Sequence, residues 1–242
     1  METLTDVAYA PEHGREGMLD IHRPEAAENT PIVMVVHGGG LQALSKERMR
    51  NVCTFLVERG WAAVNVNYRL LPDSPFPAPL ADVLDAFRWV REAEREELAG
   101  LDRRRVAAVG ASAGGYLVAM MGLLLGADKL RAVVDISGPS TRRRTEQVAD
   151  GCDRRWFEPP IQLVHGDAPP FLCVHSRRDG VVDFSESERL VAALRTAGAR
   201  AELHAYDGPD ELHGIWTEQE AAMPRLLPEL EDRIAAFLET NL

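Results

Sequence analysis

The stretch Val106–Ala127, VAAVGASAGGYLVAMMGLLLGA, runs 22 residues without a charge, and its reading decides the fold. Length and apolarity alone fit a membrane span. Its five glycines argue otherwise, because GASAGG lies between a short β-like run, Val106–Val109, and a helix-like run, Ser112–Leu125. A buried strand, a tight turn and a buried helix explain that pattern better than a bilayer helix does.

Working outward, Thr5–Tyr9 and Met18–Arg23 read as an antiparallel pair, and Pro31–Val36 (PIVMVV) as a strand buried on both faces. Ser45–Arg59 places Met49, Val52, Cys53 and Leu56 at helical spacing, and Trp61–Asn67 resumes a strand pattern. Leu80, Val83, Leu84, Phe87 and Val90 form a helix stripe behind the proline-rich PDSPFPAP. Downstream, Leu130–Ile136, Phe171–His175 and Ala201–Tyr206 read as strands and Glu186–Ala197 as a helix. Leu226, Leu227, Leu230, Ile234, Phe237 and Leu238 mark a closing helix. Such alternation predicts an α/β class: a mostly parallel sheet of about eight strands, covered by helices on both faces, in one domain over 1–242. Gly138–Pro170 is long for a connection and is expected to be a small lid or pocket wall, or else a surface loop with one helix.

Composition removes several function classes. Thirty-eight acidic against 27 basic residues give a formal charge of −11, which argues against a nucleic-acid footprint. Cys53, Cys152 and Cys173 form no CxxC pair, so neither a disulfide framework nor a thiolate metal site is expected. The acidic N-terminus lacks an apolar leader, and a cytoplasmic protein is the simplest expectation. With neither GKS/GKT nor a GxGxxG opening a helix, no phosphate-bearing cofactor is expected.

Nucleophilic chemistry is expected instead. Gly110-Ala111-Ser112-Ala113-Gly114 is a GxSxG where a buried strand must turn sharply into a helix, which would lift the Ser112 hydroxyl out of the sheet. A hydroxyl attacks a carbonyl only when a base takes its proton. Of seven histidines, His22 and His204 lie within strand patterns and His175 ends one, whereas His213 follows the last strand in the loop GPDELHGIW. His213 is therefore the candidate base. Its acidic partner is best supplied by Asp179 in HSRRDGVVDF, with Asp183 and Asp207 as competitors. His37-Gly38-Gly39-Gly40 directly follows Pro31–Val36, so the amides of Gly39 and Gly40, with that of Ala113, are the candidate donors for an oxyanion.

Together these residues resemble the α/β-hydrolase superfamily, and within it the HGGG-bearing esterases of the hormone-sensitive-lipase-like and BD-FAE branches. LDIHRP, HGGGLQALSK, NYRLLPDSPFPAPLADV, GASAGG and DAPPFLCVHSRRDGVV carry the resemblance over nearly the whole chain. It implies an α/β-hydrolase fold, Asp179 and His213 as partners of Ser112, Gly39 and Gly40 as oxyanion donors, and structural roles for His37 and Asp82. Ser176 stands where the family usually has Gly, Asp183 where it often has Pro, and the segment before HGGG is too short for an N-terminal cap. A more open site follows.

The expected activity is a cofactor-free serine carboxylesterase acting on small neutral esters, since Asp207, Asp210 and Glu211 crowd the base loop. Arylformamidase, peptidase and feruloyl or acetyl-xylan esterase activities share the same machinery. A non-catalytic small-ligand receptor on this scaffold is the alternative from another class.

Overall fold

The computed structural model describes residues 1–142, 153–209, 213–217 and 223–242. Cys152, Asp210 and Glu211 lie outside the described residues. The strands are β1 (Glu2–Ala8), β2 (Met18–Arg23), β3 (Thr30–Val36), β4 (Ala62–Val66), β5 (Leu101–Ala111), β6 (Ala132–Ile136), β7 (Phe171–Ser176) and β8 (Ala201–Tyr206). They form one eight-stranded sheet in the order β1-β2-β4-β3-β5-β6-β7-β8. β1, β2 and β4 pair antiparallel, and every pairing from β4 through β3 to β8 is parallel.

β3 and β5 sit at the centre, which is why their sequences are apolar without alternation. Ile32, Met34, Val36, Val106 and Ala108 face one core; Val33, Val35, Ala107 and Val109 face the other. Helices α2 (Ala78–Glu92), α3 (Ala113–Leu125) and α4 (Ser185–Thr196) cover the first face. α1 (Arg50–Glu58) and α5 (Pro228–Asn241) cover the second. α3 is apolar all round because it is buried all round, from Ala113 to Leu123. Among the described residues no helix is long and apolar enough to cross a membrane.

Several boundaries differ from the pattern reading, three of them for reasons visible in the packing. β5 begins at Leu101, five residues before the apolar run, because Thr30 and Pro31 pair with Leu101 and Asp102 across a register shift. Its charged residues are held there by an Asp102–Arg105 ion pair at 2.6 Å. α1 starts at Arg50, since Lys46–Met49 winds as a 3-10 turn. α5 starts at Pro228, so Leu226 and Leu227 precede it: Leu226 bridges Trp216, and the Leu227 N–H donates to Ile215 O at 3.0 Å.

The Lys46 turn ties the segment after β3 to the sheet. Its ammonium is buried and donates to Asp20 Oδ1 at 2.5 Å and Asp6 Oδ1 at 2.8 Å. Asn65 Nδ2 donates to Lys46 O, and Asn67 Oδ1 accepts the Lys46 N–H, both at 2.7 Å.

The tightest junction lies where α3 leaves β5. A Cβ on Gly114 would stand 2.1 Å from Val36 O and 2.6 Å from His37 O, both backbone atoms that cannot give. Gly114→Ala is expected to destabilise the protein by about 2–3 kcal/mol, lowering the thermal midpoint by about 5–10 °C. Gly180→Ala, whose Cβ would meet nothing within 4 Å, should melt like the parent.

Candidate active site

Ser112 sits between β5 and α3 with φ 56° and ψ −118°, a backbone conformation that a residue with a side chain adopts only under strain. Hydrogen bonds hold it there. The Ser112 N–H donates to Ile136 O at 2.8 Å, and its carbonyl accepts the Tyr116 N–H at 3.0 Å. Ala113 opens α3, so its amide is one of the N-terminal donors that a helix leaves without an internal acceptor.

The glycine loop packs onto this elbow: a Cβ on Gly38 would lie 2.8 Å from Ala111 O and 3.2 Å from Ser112 Cβ. Gly39 has φ 103°, and its carbonyl accepts the N–H groups of Gln42 and Ala43 at 3.0 and 3.1 Å. Any Cβ there would fall 1.9 Å from Ala43 O, so the turn admits only glycine. His37 holds the loop from below. Its ring stacks on Tyr68 at 4.2 Å, its Nδ1–H donates to Gly38 O at 2.8 Å, and the Tyr68 hydroxyl donates to His37 O at 2.9 Å. Burial pushes the His37 imidazole down to about 4, against the pull of its Gly38 bond, so it is neutral at physiological pH. Asp82, likewise buried, grips the Arg69 guanidinium at 2.6 Å behind this loop.

Asp179 follows β7. Its Oδ1 accepts the N–H groups of Val181 and Val182 at 2.8 and 2.9 Å, and its Oδ2 accepts His213 Nδ1–H at 2.8 Å. Burial alone would raise this carboxyl; bonds from His175 and His213, then the Val182 N–H and the His213 charge, outweigh it and hold it far below the usual carboxylate range. The Asp179 side chain is wholly buried, whereas His213 keeps 13% of its side chain exposed, so the acid is shielded and the imidazole can be reached. The competing acids are engaged differently, although Asp183 lines the same cavity. Asp183 is exposed and accepts the Ser185 N–H at the start of α4, and Asp207 lies 3.9 Å from Arg177.

Ser112 and His213 line one cavity of about 720 Å³ together with Gly38, Gly39, Gly40 and Ala113. The structure records no hydrogen bond from the Ser112 hydroxyl to the His213 ring among the described residues; contacts of this kind commonly tighten only once substrate is bound. Pro139, Thr141 and Arg142, from the start of Gly138–Pro170, form part of the wall. Glu186 fixes them: its carboxylate accepts the Ser140 and Thr141 N–H groups, each at 2.6 Å, and the Thr141 hydroxyl at 2.5 Å. The pattern reading missed this clamp. It also left His175 as a strand-ending bystander, whereas its Nε2 lies 3.2 Å from Asp179 Oδ2. Four-residue spacing before the acid was the only signal available.

Residues 19–154 match the BD-FAE family. The chain is 30% identical to the esterase LipQ of Mycobacterium tuberculosis over 84% of its own length and 57% of LipQ. It is 29% identical to the ethyl acetate hydrolase of Pseudomonas putida over 64% of this chain and 48% of that protein. It therefore spans about half the length of the curated relatives it matches. Among solved structures, a truncated carbohydrate esterase from gut microbiota superposes with a TM-score of 0.79 over 100% of this chain and 96% of that one, at 23% identity. That likeness carries the α/β-hydrolase fold.

Asp135, at the end of β6, lies beneath the site with its carboxyl buried and Oδ1 accepting the Gly138 N–H at 2.8 Å. Burial pushes it up to about 6, with Glu186 adding to the rise and His175 and the Gly138 bond opposing it. Because the folded state binds this proton more tightly than the unfolded chain, the contribution is full below about pH 4 and is lost as pH rises through about 6. Asp135→Asn keeps the acceptor for Gly138 and cannot ionise. It should melt like the parent below about pH 4, gain progressively from pH 4 to 6, and be more stable by about 3 kcal/mol at pH 8, read as thermal midpoints across that range.

Proposed function

Because the chain belongs to the BD-FAE family of α/β-hydrolases, we propose that it is a serine carboxylesterase that hydrolyses small neutral esters through an acyl-enzyme at Ser112. The observation that carries this reading is the 2.8 Å bond from His213 Nδ1 to the buried Asp179 carboxylate, on the cavity that Ser112 lines. With Nδ1 so committed, Nε2 is the nitrogen left to exchange a proton.

Ser112 Oγ attacks the ester carbonyl carbon while its proton passes to His213 Nε2. Asp179 stays ionised throughout and stabilises the imidazolium. The carbonyl oxygen becomes an oxyanion facing the amides of Gly39, Gly40 and Ala113, each such donor supporting the transition state by about 3–4 kcal/mol. Collapse expels the alcohol, which takes the proton back from His213. Water, deprotonated by His213, then attacks the acyl carbon and releases the acid and the Ser112 hydroxyl. Apart from water, no other reactant enters.

The walls support neutral, apolar ester groups. Leu41, Met49, Tyr116, Ile215 and Trp216 line the cavity, and Arg48 stacks on Trp216 at 5.7 Å. Leu44 and Val181, 51% and 55% exposed, also line it and extend the apolar surface into solvent. Leu44 is held at φ 71°, a strained placement consistent with service at the mouth. The Pro139–Arg142 wall supports reading Gly138–Pro170 as a pocket-forming insertion within one domain. Cys53 and Cys173 are buried free thiols, which supports a cytoplasmic setting. A second reading, deacetylation of carbohydrates, draws on the full-length likeness to a carbohydrate esterase.

A panel of p-nitrophenyl esters from C2 to C12, acetylated xylan and N-formylkynurenine tests both. Hydrolysis of the short esters, with kcat in Ser112→Ala reduced by about 10⁴-fold or more, is expected. No turnover of any ester, or full activity in Ser112→Ala, would overturn the esterase; preference for acetylated xylan would establish the second reading.

A further inference from the structure

His175 is fully buried and its ring is fixed on both nitrogens. Nε2 lies 3.2 Å from Asp179 Oδ2 and 3.1 Å from Val182 O; Nδ1 lies 2.8 Å from Ser187 Oγ. A carbonyl can only accept, so Nε2 carries a proton in either charge state of the ring. Phe184 packs edge-on against the imidazole at 5.6 Å, which prevents it from turning away. Asp179 thereby receives three hydrogen bonds, from two backbone amides on Oδ1 and from His213 Nδ1–H on Oδ2, and the His175 imidazole lies against the same Oδ2 at 3.2 Å.

We propose that His175 is a positioning residue for the catalytic acid, holding the Asp179 carboxylate plane and sharing its Oδ2 with His213. Three hydrogen bonds and the His175 contact hold the carboxylate against rotation, so His213 Nδ1 has one place to bind. Sharing also divides the negative charge that stabilises the His213 imidazolium, so removing the His175 donor should strengthen that stabilisation. This inference rests on the esterase reading for its kinetic consequence and on geometry alone for the hydrogen bond.

The charged and titratable groups around this histidine come from every neighbouring element. They are Asp179 and Asp183 in the loop after β7, Asp135 of β6, Glu186 of α4, and His213. Tyr206 of β8 senses the same carboxylate, and Arg177 lies beyond Phe184. Removing the Nε2–H donor leaves all of these in place and gives Oδ2 wholly to His213.

The full chain carrying His175→Leu, His175→Gln or Ser187→Ala is compared with the parent by thermal melt, by kcat and KM on p-nitrophenyl acetate from pH 5 to 9, and by low-field proton NMR. For His175→Leu the expected result is kcat lower by about 10- to 100-fold with KM within about twofold. Its acidic limb should move upward by about half a pH unit, and one low-field imidazole N–H should vanish while that of His213 shifts. His175→Gln, which retains an N–H donor, should recover most of kcat and of the limb position. Ser187→Ala should move the limb the same way by less. A folded His175→Leu with parental kcat and limb, or equal impairment in the Leu and Gln variants, would overturn the proposal. If His175→Leu does not fold, parental limbs in both other variants overturn it. If the parent hydrolyses no ester, the esterase reading fails, and the NMR signals alone decide the shared hydrogen bond: an unmoved His213 N–H in His175→Gln and Ser187→Ala rejects it.

Discussion

One residue held against its own backbone preference organises the rim of this sheet. Ser112 stands at φ 56° and ψ −118°, a placement that costs about 1–3 kcal/mol and persists only where surrounding structure over-determines it. Three central strands supply that determination. β5 ends at the preceding residue, β6 accepts the Ser112 N–H through Ile136 O, and the β3 carbonyl of Val36 lies where any side chain on Gly114 would have to go. The same close approach brings the glycine loop after β3 onto the elbow, so that the proposed nucleophile and oxyanion donors are set by one packing contact rather than by two independent loops.

The proposed acid and base reach the rim from the loops after β7 and β8, and there electrostatics does the positioning. Asp179 is buried at a cost that only several donors can offset, and it has them. Its carboxylate therefore stays ionised through any pH at which a histidine base works. On Asp135 and His37, which lack comparable partners, burial prevails and pushes each toward its neutral form. One buried rim thus holds groups in different charge states, each fixed by its count of donors rather than by its depth.

Much of this was legible in the chain because the deciding signals are local. PIVMVV, the apolar runs of β7 and β8, and the strand-turn-helix around GASAGG announce themselves by composition and glycine spacing, and the structure has each of those elements. Asp179 was distinguishable from Asp183 only by position after a strand; the structure shows Asp183 spent on the start of α4. Signals that depend on partners far away in sequence were illegible. The charged start of β5 looks like a loop until Arg105 meets Asp102 and Asn29 O. Leu226 looks helical until it bridges Trp216. His175 looks like the polar end of a strand until the chain folds Asp179 back onto it, and Lys46 looks like a surface lysine until Asp20 is found buried beside it.

The most direct test of the central claim, that the strained serine is the nucleophile activated by the Asp179–His213 pair, is covalent capture with a fluorophosphonate followed by intact-mass and peptide mass spectrometry. One adduct per chain, located on Ser112 and slowed by orders of magnitude in His213→Ala and Asp179→Asn, is the expected result. An adduct at another residue, or labelling of Ser112 at the same rate in all three proteins, would contradict it.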